Sequence, residues 1–177
     1  MNSEDTGGSS VSRRGSDAQL LAQCRWEAFR GSGPGGQKRN KTSSAVRMTH
    51  IPTGIAVIAG ESRSQAENRA RALRRLRHRM VIALREPVQL EPFEPPDWFV
   101  RLRDSGRLGA KTPIPDALAA IALMLDVLAS VDWSISKAAA AMGLSTAGLS
   151  QALARDDKVW ASVNQHRTAC GLRPLVG

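Results

Sequence analysis

Cysteine and histidine are scarce in this chain, and acidic residues almost vanish from its middle. The 177 residues hold two cysteines, Cys24 and Cys170, and three histidines, His50, His78 and His166. Two distant cysteines cannot build a metal framework and read as free thiols in a reducing compartment. No pair of histidines has metal-ligand spacing, and no Gly-x-Ser-x-Gly elbow is present. The residues therefore argue against a metal site, a bound cofactor and a self-contained hydrolytic centre; His50 reads as a structural histidine. No apolar run approaches the ~20 residues of a membrane span, and the N-terminus lacks a basic-then-apolar signal pattern. A cytoplasmic protein with no membrane partner is expected.

Charge is unevenly spread. The formal net charge is +9, yet residues 31–85 carry twelve Lys or Arg against only Glu61 and Glu67. Residues 86–177 hold nine basic and ten acidic residues, and residues 1–30 balance four against four. So one-sided a segment favours a phosphate-backbone partner, because each neutralised phosphate releases counterions.

Within that segment stands Gly31-Ser32-Gly33-Pro34-Gly35-Gly36-Gln37, with four glycines in seven residues. Glycine permits backbone angles and close approaches that a Cβ blocks. The stretch ends in a neutral amide and opens onto Lys38-Arg39-Asn40-Lys41. A glycine turn carrying one amide on a basic base suits insertion into a cramped, polyanionic place.

These residues begin a longer series. Gly33-Pro34-Gly35-Gly36-Gln37 is followed by Asn40-Lys41, Ser44-Ala45-Val46-Arg47, and Thr49-His50-Ile51-Pro52-Thr53-Gly54-Ile55. Then come Arg63-Ser64-Gln65, Asn68 and Ala72-Leu73. From Arg30 to about Arg85 the chain resembles the catalytic domain of class I peptide chain release factors, shared with release-factor-like peptidyl-tRNA hydrolases that rescue stalled ribosomes. The resemblance covers under a third of the chain, and at Lys38-Arg39 it departs from the family's more usual histidine or asparagine followed by valine.

The resemblance implies ribosome-dependent hydrolysis of the peptidyl-tRNA ester, with large-subunit ribosomal RNA and peptidyl-tRNA as partners. It implies catalytic roles for Gly35, Gly36 and Gln37. The Gln37 backbone N–H would stabilise developing charge, and its side chain would gate water against bulkier nucleophiles. It also implies modification of Gln37 by a glutamine methyltransferase. Asn40, Lys41, Arg47 and Arg63 match family positions and are expected to contact RNA, as are the added cations Lys38 and Arg39; Asn40 would equally serve to brace the loop.

The organisation expected is α+β: a small antiparallel sheet with a packed basic helix, followed by an all-α domain. Residues 1–17 read as a disordered leader, 18–86 as the catalytic domain, 87–96 as a Pro-rich linker and 97–177 as the helical domain. Cys24, Trp26 and Ala28 alternate with Arg25 and Glu27 as in a half-buried strand. Ala45–His50 and Ile55–Ala59 read as two more strands about a Pro52-Thr53-Gly54 turn. A helix should start at a capping box, Ser64 with Glu67, bury Leu73, Leu76, Met80 and Leu84 on one stripe, and end at Pro87. Its other faces carry Arg69, Arg71, Arg74, Arg75, Arg77 and Arg79, with no acid after Glu67 to compensate them within the helix. That repulsion would be relieved by an external polyanion, which makes Arg71, Arg74 and Arg75 further RNA-contact candidates.

Beyond the linker, helices are expected near 98–103, 115–131, 134–142, 145–154 and 158–169. Residues 134–155 resemble a helix-turn-helix: small residues for close approach, Gly143 for the turn, Ser145 as a cap, Leu149 and Leu153 inward. This helical domain is expected to dock on RNA or on a partner protein. With some 30 residues ahead of the glycine loop, no stop-codon-reading module is expected, and the basic tail of rescue hydrolases is not found. The reading is a codon-independent peptidyl-tRNA hydrolase. The alternatives are a nonenzymatic ribosome- or RNA-binding protein and a DNA-binding helix-turn-helix regulator.

Overall fold

The computed structural model describes residues 15–29, 44–108 and 114–176. The chain divides into two compact units, residues 1–80 and 81–177. No helix among the described residues is long and apolar enough to cross a membrane.

The first unit opens with a helix that no hydrophobic periodicity announces, α1 (Asp17–Ala22). Its start is a reciprocal capping box: Gln19 N–H donates to Ser16 Oγ and Ser16 N–H donates to Gln19 Oε1. Ser16 and Asp17 are thus ordered rather than part of a leader. Strands β1 (Cys24–Phe29), β2 (Ala45–His50) and β3 (Ala56–Ala59) form an antiparallel sheet in that order. Register sets Trp26 opposite Met48 and Met48 opposite Val57, with Val46 between Ala28 and Ala59.

Alternation along a strand puts Val46, Met48 and His50 on one face and Arg47 and Thr49 on the other. The first face is the buried one, with Val46, Met48 and Ala59 at 0% exposure. Cys24–Phe29 does form a strand, but not the half-buried one expected: β1 lies at the sheet edge, and Arg25, Trp26, Glu27 and Ala28 are all exposed, Trp26 at 38%. Thr53-Gly54 reverses the chain between β2 and β3. Gly54 sits at φ 70°, and Gly54 N–H donates to the His50 carbonyl at 2.9 Å. A positive φ there is open to glycine at little cost.

Helix α2 (Gln65–Ala83) packs against the sheet through Leu73, Leu76 and Met80, with Ala72 also buried. Burying each large side chain stabilises the fold by about 1.5–3 kcal/mol. Only half of the expected capping box forms. Glu67 N–H donates to Ser64 Oγ at 3.3 Å, but Ser64 N–H is taken by Ser62 Oγ at 3.0 Å. The helix also ends before Pro87. The Arg85 guanidinium donates to the carbonyls of Val81, Ile82 and Leu84, satisfying last-turn acceptors, so Leu84 lies beyond the helix.

The second unit is a helix bundle: α3 (Asp97–Asp104), α4 (Ile114–Ser130), α5 (Ile135–Ala141), α6 (Thr146–Ala154) and α7 (Asp157–Ala169). Its core joins Phe99, Leu125, Leu128, Met142, Leu149, Leu153 and Val163. Val88, Leu90 and Phe93 of the proline-rich stretch pack partly buried against that core. The turn between α5 and α6 uses Gly143 at φ 66°, and Ser145 Oγ accepts from Gly148 N–H at 3.0 Å to start α6. Arg103 donates to the Met142 carbonyl at 3.2 Å and so holds the same turn. Asp126, buried in the apolar α4, accepts from Glu86 N–H at 3.0 Å.

Candidate nucleic-acid interface

The expected catalytic residues Gly35, Gly36 and Gln37, and the neighbouring Lys38, Arg39, Asn40 and Lys41, lie outside the described residues. The described part of the candidate site is what flanks them: the sheet, the 60–64 turn and α2.

The turn is organised by Asn68, a side chain at 0% exposure whose polar atoms are all used. Its Nδ2 donates to the Ser44 and Ser62 carbonyls, each at 2.7 Å, and its Oδ1 accepts from Ser62 N–H at 3.0 Å. Ser44 is the first described residue after 43 and leads directly into β2. One amide therefore ties the start of β2 to the turn before α2. A buried amide with every bond made rigidifies its surroundings, whereas one left unpaired costs about 1–3 kcal/mol.

His50 has the structural place expected of it. It is fully buried, with Nδ1 2.8 Å from Thr53 Oγ1 and Nε2 3.0 Å from Gln23 Oε1. Burial pushes its pKa below the ordinary 6.5, so the ring is neutral near pH 7. Thr53 Oγ1 accepts from Ile55 N–H at 3.3 Å. Its own O–H is then free to donate to Nδ1, leaving the Nε2–H for the Gln23 carbonyl. Gln23 also accepts from Ile51 N–H through its backbone oxygen at 2.9 Å. His50 is thus a brace between the β2–β3 turn and the start of β1.

Of the expected RNA contacts, the structure describes Arg47, Arg63, Arg71, Arg74 and Arg75. Arg71, Arg74 and Arg75 gather at i, i+3 and i+4 on α2, and exposed Arg63 lies just ahead of that helix. Arg47 is set apart, on the sheet face opposite buried Val46 and Met48. There it pairs with Glu27 at 3.3 Å and lies 5.5 Å over the Phe29 ring.

Within α2 no acid follows Glu67, as expected, but residues outside the helix supply partners that the expected repulsion left out. Arg75 pairs with Glu61 at 2.7 Å and donates to the Ile58 carbonyl. Arg77 pairs with Asp17 at 2.7 Å and donates to the Gly15 carbonyl. Arg71 stands 3.9 Å from Glu67. The bond from Arg75 is the main reason the Glu61 carboxyl is held below its usual range. Arg69, given no role from sequence, lies 4.7 Å over the Trp26 ring. Among the described residues, Arg63, Arg74 and Arg79 have no acidic partner, and all are exposed. The geometry therefore sorts the basic residues into struts and outward cations. The sequence signal that separates them is weak, because Glu61 and Asp17 are 14 and 60 residues from their partners.

Residues 5–92 match the RF-1 domain. Peptide chain release factor 1 of Nocardioides sp. is 50% identical over 70 residues, covering 40% of this chain and 20% of that protein. Peptide chain release factor 2 of Paramagnetospirillum magneticum is 59% identical over 62 residues, covering 35% and 17%. Peptide chain release factor 1 of Lacticaseibacillus casei is 62% identical over 56 residues, covering 32% and 16%. The chain thus spans a fifth or less of the length of these relatives.

Proposed function

Residues 5–92 being an RF-1 domain, we propose that this chain hydrolyses the ester between a nascent peptide and the terminal ribose of its tRNA. The reaction takes place on the ribosome and without reading a codon. The observation that carries the proposal is the stretch Gly33-Pro34-Gly35-Gly36-Gln37 inside the matched residues.

Water attacks the ester carbonyl, the carbonyl oxygen gains negative charge, and the bond to the ribose oxygen breaks as that oxygen takes up a proton. Ribosomal RNA supplies the surroundings in which this occurs. The chain contributes a backbone donor, the Gln37 N–H, aimed at the developing charge or the leaving hydroxyl. A preorganised donor of this kind is worth about 3 kcal/mol, a hundredfold or more in rate. Gly35 and Gly36 give the backbone freedom that presents it, and the Gln37 amide positions water. Modification of Gln37 by a methyltransferase belongs to the same proposal.

Arg63 and Arg74, with Lys38, Arg39, Asn40 and Lys41, hold the domain against RNA phosphates. Arg71 and Arg75 share that field while pairing with Glu67 and Glu61.

The test is peptide release from purified bacterial ribosomes carrying labelled peptidyl-tRNA. The message either ends in the P site, places a stop codon in the A site, or places a sense codon there. Release on the truncated message that disappears in Gly36→Ala is the expected result. Release only at stop codons would overturn codon independence. Ribosome binding without release on any template would favour a docking protein.

A further inference from the structure

The helix-turn-helix of the second unit is left unused by the chemistry above, and its surface has a definite character. Helix α6 buries Leu149, Ala152 and Leu153, leaves Ser150 half-buried and turns Thr146, Ala147, Gln151 and Ala154 outward, with exposed Arg155 as its C-cap. With Ser150 and Arg155, the outward residues recur at one and four positions, so they form a single face. The face is shallow, neutral and polar, with a cation at its far end. Residues 134–173 contain five Lys or Arg and only two acids, Asp156 and Asp157. Asp156 caps α7 by accepting from the backbone N–H groups of Lys158 and Val159.

Between the starts of α5 and α6 this face runs into an open groove of about 480 Å³. Its floor is apolar, from Ile135, Ala147, Leu172 and Leu175, and its rim carries the hydroxyls of Ser134, Ser136, Thr146 and Ser150 and the Arg167 guanidinium. Arg167 is fixed in place: it donates to the Trp133 carbonyl at 2.6 Å and to the Arg173 carbonyl at 2.9 and 3.1 Å. The Trp133 carbonyl belongs to a turn in which Asp132 and Trp133 have φ of 52° and 61°. Left-handed backbone at a residue with a Cβ costs about 1–2 kcal/mol. Strain of this kind persists where the surroundings over-determine it, and it clusters at ligand clamps.

We propose that this groove and the outward face of α6 form a second RNA site, which takes the ribose-phosphate backbone of base-paired RNA across its minor groove. A-form RNA presents a wide, shallow minor groove rich in 2′-hydroxyls, and its deep, narrow major groove does not admit side chains. Short hydroxyl and amide side chains between alanines suit the shallow groove, since they reach 2′-hydroxyls without holding the helix away. Exposed Arg155 meets a flanking phosphate, and Arg167, a strut to the Trp133 and Arg173 carbonyls, adds positive charge at the groove. Specific reading of duplex DNA leans on long, forked side chains at base edges, and α6 offers only Gln151 and Arg155 of that kind. The choice of RNA over DNA also rests on the RNA-directed role proposed for the first unit.

The experiment uses the full chain and no ribosomes. Anisotropy of a short labelled RNA duplex is followed in a salt series, with a DNA duplex of the same sequence in parallel. The proteins are wild type, Gln151→Glu/Arg155→Glu and Gln151→Glu, with circular dichroism to check folding. Wild type is expected to bind RNA more tightly than DNA. The double variant is expected to bind RNA about tenfold more weakly, with a salt slope shallower by about one. Should the double variant misfold, weakening by the exposed Gln151→Glu change alone carries the test. RNA binding equal to wild type in a folded variant would overturn the site and leave the surface to a protein partner. DNA binding as tight as RNA binding, and equally weakened, would overturn the choice of RNA. Failure of peptide release would leave this result untouched, because no ribosome enters the assay.

Discussion

Asn68 and Ser44 are joined by a 2.7 Å hydrogen bond from a buried side-chain amide to a backbone carbonyl, across 24 residues of sequence. The bond fixes the point where the chain enters β2 to the first turn of the basic helix. Asn68→Asp turns the paired donor into an oxygen facing two carbonyls. We expect it to lower stability by about 2–3 kcal/mol, measured as a loss in the urea midpoint at unchanged slope. Wild-type stability in Asn68→Asp would mean the clamp is dispensable.

The buried, neutral His50 makes stability depend on pH. Its native pKa lies below 6.5, so the unfolded chain binds more protons in the window between the two values. Stability is therefore full above pH 6.5 and declines as pH falls from there toward the native pKa. His166 acts in the same direction, through burial first and the nearby Arg85 second. Urea melts of wild type, His50→Gln and His166→Gln through this range should show each variant losing part of the slope. An unchanged slope in both would contradict this assignment.

Two glycines separate backbone strain from packing. Gly106 has φ 65°, and a Cβ added there would have nothing within 4 Å, so Gly106→Ala should cost about 1–2 kcal/mol from strain alone. Gly143 has φ 66°, and a Cβ there would run into Arg103 Nη1. The Arg103 side chain can swing away, at the expense of its bond to the Met142 carbonyl. Gly143→Ala should thus lose about a further 1 kcal/mol. Thermal melts decide between this order and its reverse.

Arg74 and Arg75 are neighbours held differently: Arg75 is tied to Ile58 and Glu61, and Arg74 is exposed with no acidic partner among the described residues. Arg75→Ala removes a strut to Ile58 and Glu61 and should lower stability by under about 1 kcal/mol, since the pair is half exposed. Arg74→Ala should leave stability alone and weaken ribosome binding, reducing the salt slope by about one. Equal effects of the two changes on salt dependence would erase the distinction.

On the mechanism proposed above, Gly36→Ala should nearly abolish peptide release, because a Cβ would restrict the backbone proposed to present the Gln37 N–H. Gln37→Ala retains that N–H and should keep partial release. Equal, mild losses in a single-turnover assay would contradict the division between backbone and side chain.

Much of the fold is legible in one dimension. Ala45–His50 alternates apolar and polar residues, so its strand and buried face follow from the pleat. The helix-turn-helix follows from small residues, a left-handed glycine at 143 and a capping serine at 145. Less legible are features whose partners are distant. Helix α1 is six residues long and has no stripe of its own, so only its capping box marks it. Arg85 ends α2 early by bonding its carbonyls, and a charged residue ahead of a proline does not announce that role. Asp126 looks like an interruption of an apolar helix until the Glu86 N–H is seen to meet it.

The candidate site divides the same way. The glycine stretch, the concentration of positive charge and the order of strands and helices can all be read from residue type and short-range spacing. Which cations are struts and which face outward emerges only when the chain is folded. Glu61 and Asp17 reach α2 from other elements, and an ion pair over 14 or 60 residues leaves no periodic trace. Folding likewise makes Asn68 a clamp, because a buried amide acquires its meaning from the carbonyls brought to it.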